Sequence, residues 1–160
     1  MLKFDNNISL ENVIVNIPVF IQSLITEFKK PILVKNINFK FNCKLKNEVY
    51  CKINPNLLFW SLQEIIKNSL EALNQTGEII LQIDTDPDSL VISVKDNGCG
   101  ILRSIIHRVF DPEFSFGKTE CNIGNGLNYT KKIVNSFDGD VVVSSSKDEG
   151  TIVMIYLPII

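Results

Sequence analysis

Apolar and polar positions alternate along the chain with periods that separate helical from extended stretches. Val13, Ile17, Phe20, Ile21, Leu24, Ile25 and Phe28 recur near a 3.6-residue period, which predicts a helix over 13–28. Proline has no N–H to donate and is accommodated in a first helical turn, so the helix is expected to begin at Pro18 and to end at Pro31. Residues 37–42 alternate strictly and 49–53 follow as a second extended run, which reads as a hairpin through Lys46-Asn47-Glu48. A longer helix is expected over 56–74, with Leu58, Leu62, Ile65, Ser69, Ala72 and Leu73 along its apolar line. Asn54 suits its N-cap, Pro55 its first position, and Gly77 its close.

Two strands, 78–84 and 90–95, flank the turn residues Asp86-Pro87-Asp88-Ser89. A glycine-bearing turn then leads into a short helix over 102–109. Residues 111–125 form a long aperiodic loop, a length usually reserved for function. A helix over 126–137 and strands at 140–145 and 151–157 complete the chain. Helices separated by strand pairs predict an α+β fold, a two-layer α/β sandwich with helices on one face of a mixed sheet. With 160 residues and no repeat or linker, one domain over 1–160 is expected.

Composition narrows the partners. A formal net charge of −2 and dispersed lysines argue against nucleic acid or anionic membrane as a binding surface. The four cysteines lack metal-ligand spacing and the chain has one histidine, so a structural zinc site is not expected. The opening residues lack the apolar core of an export signal and no window is apolar enough to span a membrane. Free thiols and a cytoplasmic location are the expectation.

Three polar constellations stand out. Glu64, Asn68 and Glu71 lie at i, i+4 and i+7 and share one side of the long helix. An amide oxygen there suits Mg²⁺ and a carboxylate one turn earlier can take a proton, although a solvated helix side looks the same. Asp96-Asn97-Gly98-Cys99-Gly100 places an acid at a strand end ahead of two glycines, a common turn that also lets backbone approach a flat ligand. Gly124-Asn125-Gly126-Leu127 precedes a helix, where exposed N–H groups and the helix dipole favour anions; a flexible turn has the same spelling. The G-x-x-x-x-G-K-[ST] phosphate loop is absent.

In order and context these segments resemble the ATP-binding domain shared by sensor histidine kinases, anti-sigma-factor kinases, gyrase B subunits and mismatch-repair ATPases. Residues 64–73 are similar to its asparagine box and Asp96-Asn97-Gly98-Cys99-Gly100-Ile101 to its first glycine box. Phe110-Asp111-Pro112-Glu113-Phe114 is similar to its phenylalanine box and Gly124-Asn125-Gly126-Leu127 to its second glycine box. Gly150-Thr151 and the closing Leu157-Pro158 are similar to the endings of many sensor kinases. Asn128 and Tyr129 depart from the usual glycine and leucine, and Glu113 separates Pro112 from Phe114.

The resemblance implies ATP and Mg²⁺ as ligands, with Asn68 on the metal and Asp96 on the adenine amine. Gly98 and Gly100 would shape the adenine pocket with Thr151 nearby, and Gly124, Gly126 and Leu127 would present backbone to phosphates. Residues 111–125 would be a mobile lid carrying Lys118 towards those phosphates. Glu64 and Asn68 would be the catalytic pair. The implied function is transfer of the γ-phosphoryl group to a histidine on a separate domain, with a response regulator downstream and the isolated domain monomeric. His107, the one histidine, follows the first glycine box and is not expected to be that acceptor. A serine kinase of anti-sigma type, an ATPase, and a nucleotide-binding module without turnover are the alternatives.

Overall fold

The computed structural model describes residues 11–32, 36–73, 75–112 and 126–160. Its elements run β1 (Val13–Asn16), α1 (Ile17–Ile32), β2 (Asn36–Cys43), β3 (Tyr50–Ile53), α2 (Pro55–Ala72), β4 (Thr76–Asp86) and β5 (Ser89–Asp96). A 3-10 turn (Ile106–Arg108), α3 (Gly126–Asn135), β6 (Asp140–Ser146) and β7 (Gly150–Pro158) follow. The main sheet has the order β2-β4-β5-β7-β6. Its β2–β4 pair is parallel and its other pairs are antiparallel, so the sheet is mixed. The expected two-layer sandwich with helices on one face is the fold observed.

Period-two burial explains the layering. Ile79, Leu81 and Ile83 of β4 are buried, as are Leu90, Ile92 and Val94 of β5 and Val153, Ile155 and Leu157 of β7. They share one apolar cluster with Ile17, Ile21 and Leu24 of α1 and Leu58, Leu62 and Ile65 of α2. Each fully buried leucine or isoleucine contributes about 1.5–3 kcal/mol relative to exposure.

The first helix starts where Pro18 places it, but residues 13–16 are not helical: β1 pairs antiparallel with β3. The expected hairpin between 37–42 and 49–53 does not form. β2 pairs parallel with β4 while β3 joins β1 in a separate two-stranded sheet, because alternation marks a strand without naming its partner. Gly77 lies inside β4 and does not end α2; the helix stops at an extended Leu73, whose N–H donates to the Ser69 carbonyl. The helix expected over 102–109 shortens to the 3-10 turn. Cys43 and Cys51 carry free thiols, the latter pushed up to about 11 by burial. Cys99 is disulfide-bonded, which corrects the expectation of free thiols, since spacing along a chain does not report proximity in space.

Candidate functional site

α2 is set in place from its N-terminus. The Asn54 side chain accepts from the N–H groups of Asn56 at 3.1 Å and Leu57 at 3.2 Å, and Pro55 occupies the first turn. Leu58, Leu62 and Ile65 then turn the apolar line onto the sheet. Ser69 continues that line as a polar residue at a core position, only 4 % exposed. Its hydroxyl donates to Asp96 Oδ2 at 2.8 Å.

Asp96 ends β5, the central strand, opposite Ile79 of β4 and Thr151 of β7. It is 4 % exposed. Its Oδ1 accepts from the N–H of Gly98 at 2.9 Å and of Thr151 at 3.2 Å. Burial pushes its carboxyl above the usual carboxylate range, and the bonds from Gly98, Ser69 and Thr151 work against that rise. A carboxylate offers about four acceptor sites, so the three donors among the described residues leave capacity for one more.

The turn after Asp96 is closed by backbone. The N–H of Cys99 donates to the Ala72 carbonyl at 3.2 Å and that of Asp148 to the Cys99 carbonyl at 2.7 Å. Gly98 packs on the end of α2, where a Cβ would stand 2.8 Å from the Ala72 oxygen. Gly100 has φ +66° and a Cβ there would lie 1.9 Å from the Ser146 oxygen, so glycine is required on both counts.

Asn68, Asp96, Gly100, Leu127 and Thr151 line one cleft together with Ile65, Ser69, Ala72, Ile101 and Val153. The cleft is partly open to solvent. Its apolar side chains come from α2, the turn after β5, α3 and β7, so two layers of the fold meet there. Among the described residues, Asn68 Nδ2 is buried without a hydrogen-bond partner. A buried donor left unpaired costs about 1–3 kcal/mol, which a ligand acceptor in the cleft would recover. Glu64 stands one turn before Asn68, where α2 meets α3: a Cβ on Gly126 would be 2.7 Å from Glu64 Oε2.

The structure therefore brings Asn68, Asp96, Gly100, Leu127 and Thr151 to one cleft, holds Gly98 behind Asp96, and places Glu64 beside Gly126. Lys118, Gly124 and most of 111–125 lie outside the described residues. Reading by motif missed Ser69 as a partner of Asp96, although a hydroxyl on an apolar helix line was a visible signal. It also missed Ser145, whose hydroxyl accepts from the Ile101 N–H at 2.8 Å and lies 2.9 Å from Thr151 Oγ1. Gly150 has φ +94° and a Cβ there would stand 2.1 Å from the Asp96 carbonyl oxygen.

The sequence profile of the family described as histidine kinase-, DNA gyrase B-, and HSP90-like ATPase matches residues 53–160. The chain belongs to this ATPase family. Among similar proteins, the signal transduction histidine-protein kinase AtoS of Escherichia coli K12 is 35 % identical over 122 residues. That alignment takes in 74 % of this chain and 20 % of AtoS. Sporulation kinase E of Bacillus subtilis 168 is 32 % identical over 112 residues, covering 69 % of this chain and 15 % of that protein. The chain thus spans a fifth or less of the length of these two relatives. In fold it is similar to the nucleotide-free catalytic domain of histidine kinase ThkA, with a TM-score of 0.79 at 19 % identity, covering 92 % of this chain and 95 % of that one. The mycobacterial sensor histidine kinase MprB aligns with a TM-score of 0.74 at 19 % identity, covering 92 % and 97 %.

Proposed function

We propose that this ATPase-family chain is the ATP-binding catalytic domain of a sensor histidine kinase, which passes the γ-phosphoryl group of Mg-ATP to a histidine on a separate domain. One observation carries the reading: the spare acceptor capacity of Asp96 and the unpaired amide of Asn68 border the same mostly apolar cleft. Asp96 accepts the exocyclic N–H of adenine, while Ile65, Ile101 and Val153 supply apolar contact for the ring. Gly98, Gly100 and Thr151 hold Asp96 and its wall in place. Leu127 and Gly126 carry the first turn of α3, whose free N–H groups and dipole favour phosphate; Gly124 and Lys118 belong to the same proposal.

Asn68 would hold magnesium through its side-chain oxygen, a hard donor of the kind that metal takes. Bound Mg²⁺ would neutralise charge on the phosphate oxygens. Glu64 orients the acceptor for in-line transfer and holds the proton the acceptor carries.

The aligned region is a fifth or less of these relatives, which leaves room for an acceptor histidine on a separate domain and supports that part of the reading. ThkA has been seen in complex with the response regulator TrrA, which supports a downstream partner of that kind. Among the described residues no helix is long and apolar enough to cross a membrane, and a cytoplasmic, monomeric domain is part of the proposal.

Titration with Mg-ATP tests the adenine assignment: Asp96→Asn is expected to lower affinity at least tenfold, about 1.4 kcal/mol, and unchanged affinity would remove the central claim. Glu64 beside the α3 terminus favours a second reading, serine phosphorylation or hydrolysis with Glu64 as base. Labelling with γ-labelled ATP separates them. Acid-labile label on an acceptor domain supports the histidine kinase, acid-stable label a hydroxyl kinase, free phosphate an ATPase, and binding without label a nucleotide-gated module.

A further inference from the structure

We propose that Asn128 is a positioning residue that fixes the phosphate side of the cleft by tying the first turn of α3 to Phe110. The inference rests on reading the cleft as a nucleotide site. Asn128 is 8 % exposed and its side-chain amide donates to the carbonyl oxygen of Phe110. One turn further along the same helix, Lys131 Nζ lies 5.3 Å from the centroid of the Phe110 ring. Lys131 is itself held at β6, pairing with Asp140 and donating to the Val141 carbonyl at 3.0 Å. Backbone and ring of Phe110 are thus gripped by residues three apart on one face of α3.

The two ends of this tie matter for the cleft. Leu127, next to Asn128, is a wall of the cleft, and Val109, next to Phe110, is 2 % exposed in the core. The bond therefore sets the first turn of α3 against a fixed point in the core. A glycine or leucine at 128 could make no such bond. Asparagine is a poor helix-interior residue because its amide seeks backbone partners, and here the partner is a carbonyl outside the helix. Without the tie, bound phosphates would have to order this turn themselves, and affinity would fall by that cost.

The test compares Mg-ATP with adenosine on the whole 160-residue chain by calorimetry and NMR titration. Asn128→Ala is expected to weaken Mg-ATP by about threefold to tenfold. Adenosine, held on the Asp96 side, should change by less than about twofold. Asn128→Asp keeps the volume and loses the donor, so it should behave like the alanine variant; Asn128→Ser, with too short a reach, serves if either fails to fold. Equal losses for both ligands, or wild-type affinity for Mg-ATP in a folded variant, would overturn the proposal. Amide exchange at 109–111 and 127–130 is read without nucleotide: faster exchange in Asn128→Ala supports the tie, and unchanged exchange refutes it. Wild-type protein that binds neither ligand would sink the nucleotide reading itself, and the exchange rates would still decide the tie.

Discussion

Asp96 is a carboxylate held in the interior at an energetic cost. Burial disfavours its charge more than three hydrogen bonds favour it, so its proton leaves at a higher pH than in an unfolded chain. Between the ordinary value and the raised one, the folded state holds a proton that the unfolded chain has released, so this group adds stability as pH falls through that window and removes it as pH rises. Denaturant unfolding of wild type and Asp96→Asn from about pH 7 to about pH 4 should therefore show the difference moving in favour of wild type towards acid. A difference that stays flat across that range would mean the carboxyl titrates normally. A buried acid whose charge is disfavoured costs stability, and such groups cluster at ligand-binding sites.

At the level of elements, α2 does two tasks with one helix. Its N-terminal half is anchored by the Asn54 cap and its apolar line, and its C-terminal half delivers Asn68 and Ser69 to the cleft. Asn54 is 1 % exposed and satisfies two of the helix's free N–H groups, so Asn54→Ala should cost about 1–2 kcal/mol in urea unfolding. Affinity for nucleotide should stay within about twofold, because the cap lies at the end of the helix remote from Asn68. A large loss of affinity with little loss of stability would instead place the cap in the site. Helix α2, its cap, and strands β4, β5, β6 and β7 were legible from period and punctuation. β1 was not: four residues running directly into a helix leave too short an alternation to separate from the helical pattern. The 3-10 turn shows the same limit, since apolar spacing over eight residues does not set how tightly the backbone winds.

In the whole molecule one apolar cluster joins α1 and α2 to the sheet, and the cleft opens at its edge. Leu62, fully buried in that cluster, lies on the same face as Ile65 and Ser69. Leu62→Ala is expected to cost about 2–5 kcal/mol, read as a lower denaturant midpoint with an unchanged slope. Nucleotide binding by the remaining folded fraction should persist. Loss of binding with no loss of stability would argue that the core and the cleft are not mechanically continuous. Local sequence by itself determined the order of most elements, the cap of α2, and which segments carry glycines, an acid and an asparagine, because these follow from backbone sterics and hydrophobic period. Only the tertiary structure decided that β2 lies beside β4, that Ser69 and Thr151 both serve Asp96, and that Asn128 reaches Phe110. Those contacts join residues far apart in the chain, and their partners are selected by the packing of the whole core, which no local pattern encodes.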